Sequence, residues 1–342
     1  MKKVTMADVA KLAGVSKSTV SQYINNRYEY MGDETRIKIK DAIERLGYQP
    51  NYIAKSLKQK RTSMIGIILA DIIHRFSTEV SRSIEDFCYE NDIHAIICNA
   101  DNNPEKEKKY IEMLRAKQVD GLIIFPTGQN PALYKRMIAE NYPVVFMDRD
   151  IKDLQAHFVL AENIKASYKA ISHLIQHGHE HIAIVTQPLT VSTRQERIKG
   201  YKQALSDHQL PIAPEFIISA ETTELKSKLH ALFQLEQPPT ALLAGNDLVF
   251  LEILSFLQEN NLHIPEDVSL IVFDNIPFAH LSNPPVTIIA QPAFEMGAKA
   301  AELLLKQINK EEIAEEKIYF PCELIIRTTS IQIKNMVNKP TN

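Results

Sequence analysis

The 342-residue sequence predicts an α/β protein in which a three-helix head precedes a two-lobed body of doubly wound parallel sheets. The first observation is a charge asymmetry. Residues 1–61 hold 13 Lys and Arg against 6 Asp and Glu, whereas the remainder holds 26 against 36. The second is the pattern after Ser63, where apolar runs alternate with amphipathic stretches. That alternation is typical of parallel sheets covered on both faces, and roughly 270 residues exceed one ordinary domain, so two lobes are expected.

The head begins with two short amphipathic runs on either side of a glycine. Thr5 is a good N-cap, and Asp8 stands three residues later, at the spacing of a capping box. Gly14 suits the end of that helix, and Ser16 suits the N-cap of the next. A third helix is expected from about Asp33, ending at Gly47, with its inward residues at Ile37, Ala42, Ile43 and Leu46.

Three short helices, the first two joined by a tight turn, form the helix-turn-helix pattern. The second helix turns hydrogen-bonding side chains outward, at Lys17, Ser18, Ser21, Gln22 and Asn25. These side chains and the basic charge of the head favour a DNA partner. The alternative is a small helical bundle with a solvated polar face.

A basic segment, "NYIAKSLKQKR", follows the head at Asn51–Arg61. It is too short and too charged to hold a helix by itself in water. One interpretation is a flexible tether. The other is a segment that folds on DNA, with Leu57 as an apolar wedge in the minor groove.

Three scattered cysteines, Cys88, Cys98 and Cys322, contain no CxxC spacing and indicate a reducing compartment. The N-terminus has no apolar signal-peptide core, and no apolar run approaches the length of a membrane span. We therefore expect a cytoplasmic protein without a membrane partner.

The body contains seven apolar runs that read as strands: "MIGIIL", "HAIIC", "GLIIF", "PVVFM", "HIAIV", "TALLA" and "VSLIVF". Ligands of open parallel sheets bind beyond the carboxyl ends of the strands. The segments that follow the runs are polar: 71–76, 148–150, 192–197, 246–247 and 274–275. Planar polar groups beside an aromatic ring are suited to sugars, although each residue alone could be a loop cap or surface ion pair.

These motifs resemble the LacI/GalR family of bacterial transcription regulators from Val4 to about Thr329. The resemblance rests on stretches such as "VTMADVAKLAGVSKSTVSQYIN", "AIERLGYQPNYIAKSL", "HLIQHGHEHIAIV" and "IPEDVSLIVFDNIP". It implies a homodimer that binds a pseudo-palindromic operator. A small effector between the two lobes would change operator affinity, and no cofactor or metal is implied.

The resemblance transfers roles to matching positions. Residues implied to contact DNA are Thr5, Ser16, Lys17, Ser18, Thr19, Ser21, Gln22, Asn25, Ala54, Lys55 and Leu57. Residues implied to bind the effector are Asp71, His74, Arg75, Phe76, Asp148, Arg149, Arg194, Arg197, Asn246, Asp274 and Gln291.

The family pattern also implies domain bounds. The head is expected at 1–47 and a hinge helix or linker at 48–61. The N-terminal lobe is expected at 62–161 and 291–320, the C-terminal lobe at 162–290 and 321–333, and a tail at 334–342. The tail has no leucine heptads, which favours a dimer over a tetramer.

Two departures from the family pattern bear on specificity. Gln22 replaces the usual arginine and is better suited to adenine than to guanine. The usual Asn-Pro-Phe-Phe stretch reads His74-Arg75-Phe76-Ser77, which adds basic groups. With three further arginines nearby, a cationic cleft favours a carboxylate-bearing or phosphorylated sugar, and 2-keto-3-deoxygluconate is one candidate. Alternatively, His74 or Arg75 points to solvent or pairs with Glu79.

Other functions are weaker interpretations. A transport-type sugar-binding protein would need a signal peptide and no basic head. An enzyme could use Asp148 and Asp274 as an acid/base pair, but no nucleophile elbow or P-loop accompanies them. The histidines His173, His177, His179 and His181 are spread over a helix end, a turn and a strand, so we expect no metal site.

Overall fold

The computed structural model describes residues 4–29, 31–49, 61–314 and 317–332. The chain divides into two compact units, Met1–Thr62 and Ser63–Asn342. We describe each unit by itself. Within the described residues, no helix combines the length and the apolar character that a membrane crossing requires.

The head unit contains helices α1 (Met6–Ala13), α2 (Lys17–Ile24) and α3 (Asp33–Leu46). Their ends follow the expected capping chemistry. The Asp8 carboxylate accepts hydrogen bonds from the Thr5 backbone N–H at 2.9 Å and from the Thr5 hydroxyl at 2.6 Å. Gly14 has a φ of +66°, a conformation that glycine adopts without strain, and it ends α1. Ser16 caps the start of α2, where its Oγ accepts a hydrogen bond from the Thr19 N–H at 3.1 Å.

A small apolar core joins the three helices of the head. Val9, Val20 and Ile39 are fully buried there, and Ala42 is almost so. The prediction that Ile37 faces inward is wrong, because its side chain is 67% exposed. The inward stripe follows helical spacing and consists of Ile39, Ala42, Ile43 and Leu46. Ile37 lies two residues before Ile39, which places it roughly 200° around the helix from the start of that stripe.

The body unit contains two six-stranded sheets, which confirms the two-lobed α/β fold. The first sheet has the strand order β11-β5-β4-β3-β1-β2, and all its pairs are parallel. Its strands are β1 (Met64–Leu69), β2 (His94–Asn99), β3 (Gly121–Ile124), β4 (Val144–Met147), β5 (His157–Ala161) and β11 (Lys317–Phe320).

The second sheet has the order β12-β10-β9-β8-β6-β7. Its strands are β6 (Ile182–Thr186), β7 (Ile217–Ser219), β8 (Ala241–Ala244), β9 (Ser269–Phe273), β10 (Thr287–Ala290) and β12 (Glu323–Ile325). β12 pairs antiparallel with β10, and the other pairs of this sheet are parallel, as the doubly wound fold predicts. The antiparallel strand lies at an edge, where mixed sheets commonly carry one.

Helices separate most of the strands along the chain. They are α4 (Arg75–Glu90), α5 (Pro104–Ala116), α6 (Pro131–Ala139), α7 (Asn163–Gln176), α8 (Ser192–Asp207), α9 (Thr222–Phe233), α10 (Asp247–Glu259) and α11 (Ala293–Asn309). A short 3₁₀ turn, Pro214–Phe216, precedes β7. The largest apolar cluster draws buried residues from both sheets, including Ile67 and Ile184 at 0% exposure.

The chain crosses between the two sheets three times. β5 ends in the first sheet at Ala161, and the following strand, β6, belongs to the second. β10 ends in the second sheet at Ala290, after which α11 packs on β3, β4 and β5 of the first. β11 and β12 are in different sheets, so the third crossing lies between Phe320 and Glu323. Each lobe is thus assembled from separate chain segments.

Candidate functional site

The carboxyl ends of strands from both sheets converge on one small cavity, which we call the inner cavity. Its lining contains ten of the eleven residues expected there: Asp71, His74, Phe76, Asp148, Arg149, Arg194, Arg197, Asn246, Asp274 and Gln291. The topology explains this convergence, because parallel strands deliver the residues that follow them to one edge of a sheet. Phe76, which packs edge-on against Phe125, provides the aromatic ring.

The inner cavity has a volume of about 50 Å³. Ordinary ligand pockets hold about 300–1,000 Å³, so the two lobes lie close together around it. A ligand the size of a sugar therefore requires the lobes to separate before it can enter.

Three arginines line the inner cavity, and their hydrogen bonds go to uncharged oxygens. Arg149 donates to the Pro126 carbonyl at 3.2 Å and to Asn102 Oδ1 at 2.9 Å. Arg194 donates to the carbonyl of Pro188 and to the amide oxygen of Gln187, both at 2.8 Å.

Arg197 donates to Asn163 Oδ1 at 2.9 Å and to the Gly245 carbonyl, and its guanidinium lies 3.5 Å from the centre of the Phe273 ring. Because carbonyl and amide oxygens carry no full charge, these bonds orient the three guanidinium groups without neutralising them.

Two buried carboxyl groups face the arginines. Burial raises the pKa of Asp148, although Arg149 and Arg197 oppose that rise. Burial likewise raises the pKa of Asp274 to about 6, against the opposing charge of Arg197. The Asp148 carboxylate lies 3.7 Å from Arg149 Nε, which has no hydrogen-bond partner among the described residues. Asp274 Oδ1 accepts from Gln291 Nε2 at 2.5 Å.

A contact between the lobes closes one side of the inner cavity. His74 Nδ1 lies 2.6 Å from Asp247 Oδ1, and the Arg75 backbone N–H donates to Asp247 Oδ2 at 2.9 Å. His74 precedes α4 in the first lobe, whereas Asp247 begins α10 in the second. The His74 and Asp247 side chains are only 14% and 13% exposed. We call this contact the lobe latch.

The two residues of the lobe latch shift each other's protonation. Burial lowers the pKa of His74, but the hydrogen bond and charge of Asp247 outweigh burial, and the pKa is raised overall. Burial raises the pKa of Asp247, but His74 and two backbone N–H groups leave it lowered overall. Both shifts favour the charged pair.

Arg75 is absent from the inner cavity, contrary to expectation. Its Nε donates to Glu79 Oε1 at 2.8 Å along the surface of α4, and its side chain is 47% exposed. Its position at the first turn of α4 puts it one helical turn from Glu79, so the local ion pair forms readily. The inner cavity also has a smaller excess of positive charge than the sequence predicted, because its lining holds as many aspartates as arginines. The aspartates are Asp71, Asp148 and Asp274.

Sequence reasoning missed several residues of the inner cavity. Ala70, Ser77, Phe125 and Thr193 complete its lining. Each of these residues lies beside a strand end or beside a residue that was predicted to line the cavity. The strand-end position that predicted the neighbouring residue could therefore have predicted this one as well. Asp247 was recognised only as a strand-end residue, because nothing in the sequence pairs it with His74.

In the head, the outward face of α2 is accessible to solvent, as the helix-turn-helix pattern predicts. Lys17, Ser18 and Gln22 are exposed, and we call these three residues the recognition face. Thr19, Ser21 and Asn25 are half-buried beside it, and Asn25 Nδ2 donates to the Ser21 carbonyl at 2.7 Å. Of the remaining residues expected to contact DNA, Ala54, Lys55 and Leu57 lie outside the described residues.

The histidines near the end of α7 make hydrogen bonds to protein groups. His173 Nε2 lies 3.0 Å from Ser330 Oγ, and the ring nitrogens of His179 lie 2.9 Å from Thr240 Oγ1 and the Ile331 carbonyl. Over the part of the chain that the structure describes, no group of three His, Cys, Asp or Glu residues is placed to hold a metal ion.

Comparisons with known proteins agree with both units. The pattern of the bacterial regulatory proteins of the lacI family matches residues 5–51, and that of a periplasmic binding protein-like domain matches residues 171–330. The chain is 46% identical to the protein named Probable HTH-type transcriptional regulator EndR of Paenibacillus polymyxa, over 92% of this chain and 93% of that protein. It is 34% identical to the HTH-type transcriptional regulator KdgR of Bacillus subtilis, over 94% of this chain and 96% of that one.

Solved structures show the same architecture. The lac repressor dimer bound to operator and an anti-inducer has a TM-score of 0.85 at 24% identity, covering 96% of this chain and all of that one. A LacI family regulator from Enterococcus faecium with bound ribose has a TM-score of 0.70 at 29% identity, covering 79% and 100%.

A helix-turn-helix head on a periplasmic-binding-like body defines a DNA-binding transcriptional regulator, not an enzyme. The chain belongs to the LacI family. Its fold class and family are thus as the sequence predicted.

Proposed function

We propose that this regulator is a cytoplasmic repressor of carbohydrate-utilisation genes, controlled by a sugar acid that binds in the inner cavity. The observation that supports an acid is the bonding of Arg149, Arg194 and Arg197. Their hydrogen bonds go to neutral oxygens. Arg149 also lies 3.7 Å from the Asp148 carboxylate, so Arg194 and Arg197 are the two whose positive charge is most available to an anionic ligand. A ligand carboxylate would gain charge-assisted hydrogen bonds there.

The rest of the inner cavity suits the hydroxyl groups of a carbohydrate. Asp148 and Asp274 can accept hydrogen bonds from hydroxyls, Asn246 and Gln291 offer amide groups, and Phe76 presents a ring to C–H faces. The related regulator from Enterococcus faecium has ribose bound, which supports a sugar framework. We keep 2-keto-3-deoxygluconate and phosphorylated sugars as candidate ligands.

We further propose that the head, 1–47, binds a pseudo-palindromic operator as part of a homodimer. Lys17 and Ser18 would contact DNA at the start of α2, where the helix dipole favours phosphate, and Gln22 would read adenine. The half-buried Thr19, Ser21 and Asn25, with Thr5 and Ser16, would contact the DNA backbone. The linker, 48–61, would join the head to the body.

In this proposal the body has an N-terminal lobe at 62–161 and 291–320 and a C-terminal lobe at 162–290 and 321–333, followed by a tail at 334–342. The effector binds between the lobes and changes their relative arrangement. Operator affinity changes with it, because any ligand that prefers one of two states shifts the population towards that state.

A thermal-shift panel on the full-length protein tests the effector class. It contains hexuronates, aldonates, 2-keto-3-deoxygluconate, phosphosugars, neutral sugars and purines. A ligand that binds only the folded protein raises the melting temperature by mass action, and we expect this for acids alone.

The control is the variant Arg194→Met, which removes one guanidinium from the inner cavity. We expect it to lose the response to acids. A shift with neutral sugars alone, or an acid response that persists undiminished in this variant, would contradict the proposed acid effector.

A further inference from the structure

A second, larger compartment adjoins the inner cavity. Its volume is about 440 Å³, and we call it the side chamber. The loop after β3, the loop after β4 and the start of α8 form its walls. The first two belong to one sheet and the third to the other, so the side chamber, like the inner cavity, is shared by both lobes.

Arg149 is the structural link between the two compartments, since it lines both. The residue is 93% buried, given its exposed fraction of 7%. Its Nε has no hydrogen-bond partner among the described residues, and such an unsatisfied buried donor is uncommon in folded proteins. A ligand that passes Arg149 could satisfy this donor from either compartment.

The walls of the side chamber carry the groups that recognise sugar hydroxyls. Asp150 and Glu196 provide carboxylates, Gln195 an amide, and Ser192 and Thr190 hydroxyl groups. Apolar surface for the C–H faces of a ring comes from Pro126, Ile151 and Val191. Lys317 Nζ bonds both oxygens of Asp150, at 2.8 and 2.7 Å, so that charge is already paired.

The side chamber also contains a direct hydrogen bond between the lobes. The Asp150 backbone N–H donates to Ser192 Oγ at 2.8 Å. A ligand that fills the side chamber would therefore lie beside a contact that forms only when the lobes are close.

We propose that the effector spans both compartments and is an acidic oligosaccharide of at least two sugar units, in preference to single-unit acids such as 2-keto-3-deoxygluconate. Its carboxylate binds the arginines of the inner cavity, and its second unit occupies the side chamber. The side chamber supports this division, because with the lobes this close it already measures 440 Å³, within the range of ordinary ligand pockets, about 300–1,000 Å³. This inference rests on the proposed acid effector.

Calorimetric titration of the full-length protein tests the length requirement. The probes are galacturonate and glucuronate, their disaccharide and trisaccharide acids, and cellobiose as a neutral control of matched length. We expect a disaccharide acid to bind at least tenfold more tightly than its monomer. Equal affinity for monomer and dimer would overturn this inference alone, leaving the acid effector in place. Binding of cellobiose only, or of no acid, would overturn the acid effector and this inference together.

A filled side chamber provides the second test. Gln195 is exposed at the chamber wall on α8, and Gln195→Trp would occupy its space, whereas Gln203→Trp places the same ring elsewhere on that helix. We expect Gln195→Trp to remove the advantage of the disaccharide while monomer affinity stays unchanged, and Gln203→Trp to change neither. If Gln195→Trp does not fold, Lys152→Trp on the loop after β4 tests the same space. Equal loss for monomer and dimer in a folded chamber variant would refute the second subsite.

Discussion

The lobe latch makes the stability of the body depend on pH in a defined direction. The test is Asp247→Asn, which keeps the side-chain shape but removes the charge that pairs with His74. A hydrogen bond to a charged group contributes about 1.5–3 kcal/mol. Both side chains are mostly buried, so solvent screens this pair little. We therefore expect the variant to be less stable by about that amount when His74 is protonated.

The sign of the pH dependence follows from the two pKa shifts. The pKa of His74 is raised from 6.5, so its stabilisation is complete below about pH 6.5 and is lost as the pH rises through the folded-state value. The pKa of Asp247 is lowered from 3.8, so its stabilisation is present above about pH 3.8 and is lost only in stronger acid. The latch is accordingly strongest between about pH 4 and 6.5.

The assay is the melting temperature of wild type and variant at pH 5.5–8.5. At about 2 °C per kcal/mol for a unit of this size, the gap should be about 3–6 °C at pH 6 and should narrow as the pH rises. Asp86→Asn is the control, because Asp86 pairs with Arg82, which stays protonated over this range. A gap for Asp247→Asn that stays constant from pH 5.5 to 8.5 would refute the charged latch.

Three further predictions concern packing and DNA binding. Gly200→Ala should destabilise the body by about 1–3 kcal/mol in urea unfolding, because its Cβ would collide with the α7 backbone. The exposed control Lys202→Ala on the same helix should change stability by less than about 0.5 kcal/mol. In fluorescence anisotropy, Lys17→Ala should weaken binding to operator and random DNA alike. Gln22→Ala should cost about 1–3 kcal/mol on the operator and relax preference at one base pair. Equal losses on random DNA would contradict that role for Gln22.

The fold was predictable where strands are long, buried and apolar. Apart from Gly66 and Ser269, every residue of β1 and β9 is a large apolar one, because helices cover both faces of their sheets. β7 and β12 have only three residues each, and β12 is not fully buried at any position. So short a segment shows no hydrophobic period, and its pairing depends on the neighbouring strand.

The membership of the inner cavity was predictable for a different reason, which is topological. In a parallel sheet the residues that follow each strand must lie at the same edge, so Asp71 and Asp148, which follow β1 and β4 of the first sheet, could be placed together without knowing any contact. What each side chain does at that edge depends on competing partners. Arg75 had two possible environments, the inner cavity and the side chain of Glu79. It pairs with Glu79, which lies one helical turn away on the same helix.

The lobe latch shows why contacts across a cleft lie beyond sequence reasoning of this kind. His74 and Asp247 are 173 residues apart and lie on different lobes, so no local period or spacing connects them. Their contact exists only when the lobes are close, and two conformations of one protein commonly differ in free energy by only a few kcal/mol. A single charge-assisted hydrogen bond is large enough to alter that difference. The residues that determine the lobe equilibrium can therefore be few, and only the folded arrangement identifies them.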